Sequence, residues 1–210
     1  KNAAGKEYHG VEFYNGILLP GFVNVHCHLE LSHLKDKIKP KRGLSHFIFD
    51  LFSVRQKEKT EDIVDRIQSA DRLIYINGIV AVGDIVNTDL TIAVKQKSKV
   101  KYHSFVEVYG SDPEVAEKSF KNALQLKDTF QKNSLATSIT PHAPYSISPR
   151  LFSLLAAYLK QQKMPVSIHN QENPDENQMF SNWQGKMAEM IGKMGTPLSV
   201  FPNHLRSSLE

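Results

Sequence analysis

The chain has 210 residues, 40% of them hydrophobic and 23% charged, with 26 basic against 22 acidic side chains for a net charge of +4. That length supports a sizeable core in one or two domains, and the scattered basic residues argue against a nucleic-acid or anionic-membrane partner. One cysteine excludes an internal disulfide framework and fits a reducing compartment such as the cytoplasm, and no apolar run approaches the roughly 20 residues of a membrane span.

Residues 1–10 are polar and lack the apolar core of a signal peptide. Residues 11–19 carry a turn at Asn15-Gly16 between two short strand-like runs, which predicts a β-hairpin of a small accessory sheet. The expected organisation is therefore an accessory β segment over 1–20 and a main body over 21–210. In that body, strand-like runs at 21–26, 79–85, 100–108, 135–140 and 165–169 alternate with helical patterns.

Thr60 reads as an N-cap, with Ile63, Ile67, Ala70 and Ile74 behind it at helical spacing and Asn77-Gly78 ending the run. Ser111-Asp-Pro-Glu114 reads as a capping box before a face formed by Ala116, Phe120, Ala123 and Phe130. Ser148-Pro149 caps a third helix, and a fourth is expected after Pro174, over about 179–194. A long insertion separates the first strand from the first helix. Its basic stretch (Lys35, Lys37, Lys39, Lys41, Arg42) reads as a solvated loop, followed by a short amphipathic piece at 44–54. Five strand–helix units in alternation predict an α/β fold with a parallel sheet covered by helices.

Histidines gather at the carboxyl ends of these strands. His26 and His28 flank Cys27, and strand alternation puts both imidazoles on one face and the thiol on the other. Two neutral imidazoles so placed suit a single divalent ion. His169 ends the fifth run, and Glu172 follows three residues later, where a carboxylate beside a metal suits proton transfer to and from a bound water. His142 sits in Thr140-Pro-His-Ala-Pro-Tyr-Ser146, where two prolines stiffen the loop after the fourth strand. Active sites of α/β barrels lie at this end of the sheet.

The segments Pro20-Gly-Phe-Val-Asn-Val-His-Cys-His-Leu-Glu-Leu-Ser32, Pro141-His-Ala-Pro-Tyr-Ser146 and His169-Asn-Gln-Glu172, in this order, resemble the amidohydrolase superfamily. Within it they are most similar to the branch of cytosine, S-adenosylhomocysteine and aminodeoxyfutalosine deaminases and triazine chlorohydrolases. The resemblance implies a partial TIM (β/α)8 barrel and one divalent metal, zinc or iron. It implies His26, His28 and His169 as metal ligands, Glu172 as proton shuttle, and His142 as a substrate contact. Glu30 is a further substrate contact by position, and Glu107 is a weaker candidate with a hydrogen-bonding role. The implied reaction is hydrolysis of a non-peptide C–N bond, deamination of an aminated heterocycle or nucleoside. The alternatives are a triazine-type chlorohydrolase or amide hydrolase on the same fold, or a non-catalytic metal-binding module. The family pattern also calls for a later histidine and an aspartate at the ends of further strands, which this sequence does not supply. The chain is thus expected to be a piece of a longer enzyme, inactive by itself and prone to self-association through open sheet edges.

Overall fold

In the computed structural model, which describes residues 10, 12, 14–39, 42–54 and 58–210, four parallel strands form one sheet. They are β1 (Phe22–Cys27), β2 (Ile79–Val86), β3 (Lys101–Val108) and β4 (Ala136–Pro141), hydrogen-bonded in sequence order. Seven α-helices accompany them among the described residues: α1 (Leu44–Val54), α2 (Thr60–Ile76), α3 (Ile92–Lys97), α4 (Ala116–Lys132), α5 (Pro149–Leu159), α6 (Pro174–Asn182) and α7 (Gly185–Lys193). Strand–helix alternation with every strand parallel is the architecture that the apolar periodicity predicts.

The helices cover the sheet by the faces read from the sequence. On α2, Ile63 and Ile67 are buried with Ala70 and Ile74 against Leu29, Val82, Val100 and Tyr102. On α4, Ala116, Ala123 and Phe130 are buried, and with Leu151 and Leu155 of α5 they pack on Val86, Val106, Val108 and Ile139 of the strands. A third cluster joins Met179 and Phe180 of α6 to Met187 and Ile191 of α7, over Ala143 and Tyr145 of the loop after β4. None of the described helices is long and apolar enough to cross a membrane.

Helix starts follow local chemistry. The Ser148 side chain accepts a hydrogen bond from Leu151 N–H at the head of α5, where Pro149 occupies the first turn. The expected capping box at 111–114 resolves differently. Asp112, rather than Ser111, accepts from Glu114 N–H and caps a 3-10 turn, Pro113–Val115, that leads into α4. Thr60 is the first residue of α2 and Lys59 precedes it as the cap residue. The single helix expected after Pro174 is two, because Trp183 adopts left-handed φ (56°) and Gly185 lies at φ +89°. A side chain at Gly185 is disfavoured by that φ, and its Cβ would also meet Gln178 Oε1 at 2.6 Å.

Two departures concern the sheet. The run at 165–169 lies alongside β4 without joining the ladder as a fifth strand. Ser138 Oγ donates to the Pro165 carbonyl (2.8 Å), and Ser167 N–H donates to Thr140 Oγ1 (2.8 Å). Hydroxyls on β4 therefore take the partners that a backbone ladder needs, and only His169 N–H reaches a main-chain acceptor there, the His142 carbonyl (2.8 Å). The second departure is an irregular β1. Asn24 aligns with Val82 but Cys27 with Asp84, so β1 has an extra residue between Asn24 and Cys27, in the stretch that holds His26. Gly83 allows this: a Cβ there would lie 2.5 Å from the Val25 carbonyl oxygen.

Of the expected hairpin, Val11 and Phe13 lie outside the described residues, and the described residues between 12 and 20 form no strand. β1 is an edge strand, with Val23 and Val25 exposed (62% and 75%). In the basic stretch Lys35, Lys37 and Lys39 are exposed, Lys37 pairs with Glu58, and Arg42 reaches Asp50 at 3.4 Å; Lys41 lies outside the described residues.

Candidate active site

The carboxyl ends of the strands open into a cavity of ≈540 Å³ whose wall includes His26, His28, Glu30, His142, His169 and Glu172. With Glu107, which also lines the cavity, all seven residues singled out in the sequence thus meet in one place. The strand ends bring His26 and His28 together with a ring-centroid separation of 5.1 Å, and His169 stands 4.6 Å from the first and 5.3 Å from the second. Cys27 faces the opposite side, against the cluster of α2, where burial first and the Asp84 carboxylate second push its thiol up to about 11.

Hydrogen bonds orient the third imidazole. His169 Nδ1 lies 3.1 Å from the His142 carbonyl and 3.5 Å from Glu107 Oε1. A carbonyl only accepts, so Nδ1 carries the hydrogen and Nε2 keeps the lone pair. That Nε2 is 3.2 Å from His28 Nε2. In a tetrahedral ion with metal–nitrogen bonds of 2.0–2.1 Å, two ligand atoms stand about 3.3 Å apart. The ligand atoms of His26, His28 and His169 all fall within 4.8 Å of one another, so the donor set fits one divalent ion. Burial, and next the electrostatic interaction with the neighbouring His169 imidazole, lower the His26 pKa, which favours the neutral form.

Glu172 is fixed by its neighbours. Tyr145 Oη donates to Glu172 Oε2 at 2.9 Å, and Glu172 N–H donates to Glu176 Oε2 at 3.1 Å. Burial first, then the charge of Glu172, raise the Tyr145 pKa, so its hydroxyl stays protonated and a donor. His142 sits 5.0 Å from His169, centroid to centroid, and burial holds its pKa down to about 4, with His169 adding to the effect. Ser146 Oγ donates to the Ala143 carbonyl and accepts from His142 Nδ1 at 2.6 Å. That arrangement leaves Nε2 of His142 as its acceptor atom.

Glu30 is nearly inaccessible (3%), and its Oε2 accepts from Asn87 N–H, Thr88 N–H and Thr88 Oγ1 at 2.8–3.0 Å. It ties the turn after β1 to the loop after β2 while still bordering the cavity. Glu107 accepts from Asn87 Nδ2 at 3.0 Å and faces His169, and with His142 and His169 it forms a second group of donor atoms able to approach one ion. Asn87, Glu176 and the cavity walls supplied by α1 and α7 escaped the sequence reading. Asn87 directly follows β2, so the strand-end rule that flagged the histidines pointed to it as well.

Compared with known proteins, residues 17–191 match the model of the amidohydrolase family. The chain belongs to the amidohydrolase family. An aminodeoxyfutalosine deaminase of Deinococcus radiodurans is 26% identical over 198 residues, covering 86% of this chain and 46% of the relative. A 5'-deoxyadenosine deaminase of Methanococcus vannielii is 25% identical, covering 86% and 44%. Among solved structures, Helicobacter pylori aminofutalosine deaminase in complex with methylthio-coformycin superposes with a TM-score of 0.70 at 20% identity, covering 87% of this chain and 45% of that one. A zinc-bound adenosine deaminase from Xanthomonas campestris gives 0.63 at 20% identity, covering 84% and 42%. The chain spans about half the length of the curated relatives it matches. Its four-stranded sheet with covering helices is accordingly a part of the amidohydrolase barrel.

Proposed function

We propose that this amidohydrolase chain carries the metal site of a hydrolase that deaminates an aminated heterocycle or nucleoside. The observation that carries the reading is the convergence of three imidazoles and one oriented carboxylate in a single cavity at the carboxyl ends of parallel strands. His26, His28 and His169 hold one divalent ion, zinc or iron. When bound, the ion supplies Lewis acidity that makes water a competent nucleophile near neutral pH.

The chain's own groups handle protons and orientation. Glu172 takes one proton from the attacking water and delivers it to the ring nitrogen, then takes the proton of the newly formed hydroxyl and delivers it to the amine, which departs as ammonia as the C–N bond breaks and the carbonyl forms. Tyr145 keeps one oxygen of Glu172 fixed, so the other is the one that exchanges the proton. His142, neutral at physiological pH and anchored through Ser146, offers its acceptor nitrogen to the substrate. Glu30 and Glu107 shape the same wall, and Glu30 is, beside His142, the other residue assigned to substrate contact. A carboxylate that shuttles protons suits an amine leaving group, which needs protonation to depart, better than chloride, which does not. The single thiol, Cys27, suits a reducing compartment, and we assign the protein to the cytoplasm.

Elemental analysis of the purified chain beside a His169→Ala variant tests the site. About one zinc or iron per chain is expected, with loss of the ion in the variant and an unchanged far-UV circular dichroism spectrum. Metal retained in the variant, or none in either protein after reconstitution, would remove the basis of the assignment.

A further inference from the structure

Helix α6 buries a carboxylate on its apolar face. Glu176, Met179 and Phe180 stand three and four residues apart, so they share one side of the helix, and all three are inaccessible (0%, 0% and 3%). Met179 and Phe180 pack there into the cluster with Ala143 and Tyr145. A carboxylate in such a place is costly unless hydrogen bonds replace its water.

The donors that replace it belong to the loop carrying Glu172. Glu176 is the third residue of α6, after the cap residue Asn173, and in a capping box a side chain so placed reaches back to the N–H of the cap. Here it reaches one residue further and accepts from Glu172 N–H at 3.1 Å. Gln171, at left-handed φ (55°), turns the chain so that consecutive N–H groups face the carboxylate. Burial raises the Glu176 pKa, and hydrogen bonds from Ser208 and from the N–H groups of Gln171 and Glu172 oppose that rise. Tyr145 Oη meanwhile holds Glu172 Oε2 at 2.9 Å, so Glu172 is gripped at its main chain and at its side chain. Glu176 itself does not line the cavity.

We propose that Glu176 is a positioning residue for Glu172: its buried carboxylate fixes the backbone of the proton shuttle, so that the free oxygen of Glu172 stays in the cavity that the three imidazoles line. The proposal rests on the deaminase reading above and adds to it a residue that acts only through another.

Turnover of 5'-deoxyadenosine by the zinc-loaded full-length enzyme, read as ammonia release, tests the role. Glu176→Leu removes the acceptor from an otherwise apolar face. It should lower kcat and kcat/KM together by about 10–100-fold, the cost of slightly misplacing a reacting group, with zinc content unchanged. Glu176→Gln keeps an acceptor oxygen and should recover most of that loss. In a Glu172→Gln background, Glu176→Leu should cost nothing further, because the group it positions is already gone. An equal loss in both backgrounds marks a merely structural effect and overturns the proposal. So does parental turnover in Glu176→Leu, or a glutamine variant as slow as the leucine one. Should the leucine variant not fold, hydrogen exchange of the parent decides: the Glu172 amide should be strongly protected, and exchange at the open-chain rate removes the bond and the proposal. A parent that holds zinc but releases no ammonia sinks the deaminase reading, and the role of Glu176 with it.

Discussion

Lys95→Met should destabilise the fold by about 3–5 kcal/mol, the usual result of removing one partner of a buried ion pair. Lys95 Nζ lies 2.6 Å from Asp84 Oδ2, both side chains are fully inaccessible, and Lys95 also donates to Ser104 Oγ at 2.8 Å. Burial pushes the Asp84 carboxyl up and the Lys95 ammonium down, while each holds the other charged. Methionine fills the space of the lysine stem but leaves the Asp84 carboxylate, on β2 against α3, without its counter-ion. The other oxygen, Asp84 Oδ1, accepts from Leu29 N–H at 2.7 Å, directly after His28. Loss of the pair therefore also loosens the turn that presents the first two histidines. Urea denaturation measures the change, and thermal unfolding should show a drop of about 10 °C for a chain of this size. A double variant, Asp84→Leu with Lys95→Met, should recover much of the loss, since apolar replacement of a whole buried pair is often neutral or stabilising. A Lys95→Met protein within about 1 kcal/mol of the parent, outside the range expected for a broken buried pair, would mean that the ion pair is not closed in solution.

Glu172→Gln should lower deaminase turnover of the full-length protein by about 10²–10⁴-fold, the range that a positioned general acid–base contributes. Glutamine has the same length, and its amide oxygen can still accept the Tyr145 hydroxyl, so the loop after 169 keeps its shape. It cannot take or give the proton. Metal content should stay at the parent level, because the three ligand imidazoles are untouched. That separation makes the experiment decisive: undiminished turnover would exclude Glu172 as the shuttle, and loss of the ion would turn it into a ligand. Comparing kcat with KM sharpens the outcome, since a group acting only in the transition state lowers kcat and kcat/KM together.

The histidines were legible in the sequence because their logic is local. A strand alternates, a parallel strand ends at the functional face, and His26, His28, His142 and His169 each follow an apolar run. The extra residue in β1 is not local: it depends on Gly83 in another strand accepting the Val25 carbonyl at close range. The same holds for the run at 165–169, whose apolar pattern reads as a strand while Ser138 and Thr140 on β4 divert its hydrogen bonds. The Asp84–Lys95 pair leaves no periodic trace, since its partners lie on a strand and a helix and are recognised only by being buried together. Residues 28–60 were the least readable. Read as a solvated loop with one amphipathic piece, they also bury Leu29, Glu30, His33 and Leu34 in a 3-10 turn and supply a helix that walls the cavity.

The 3.2 Å approach of His28 and His169 joins positions 141 residues apart in the chain. An ion held between them acts as a cross-link as well as a chemical group, because it closes a very long loop in any conformation that keeps both ligands. The loop-closure cost grows with loop length, so a clip at this place removes more freedom from the unfolded ensemble than one between neighbouring strands. With an ion bound as proposed, resistance to unfolding would be tied to the same ion as the proposed chemistry.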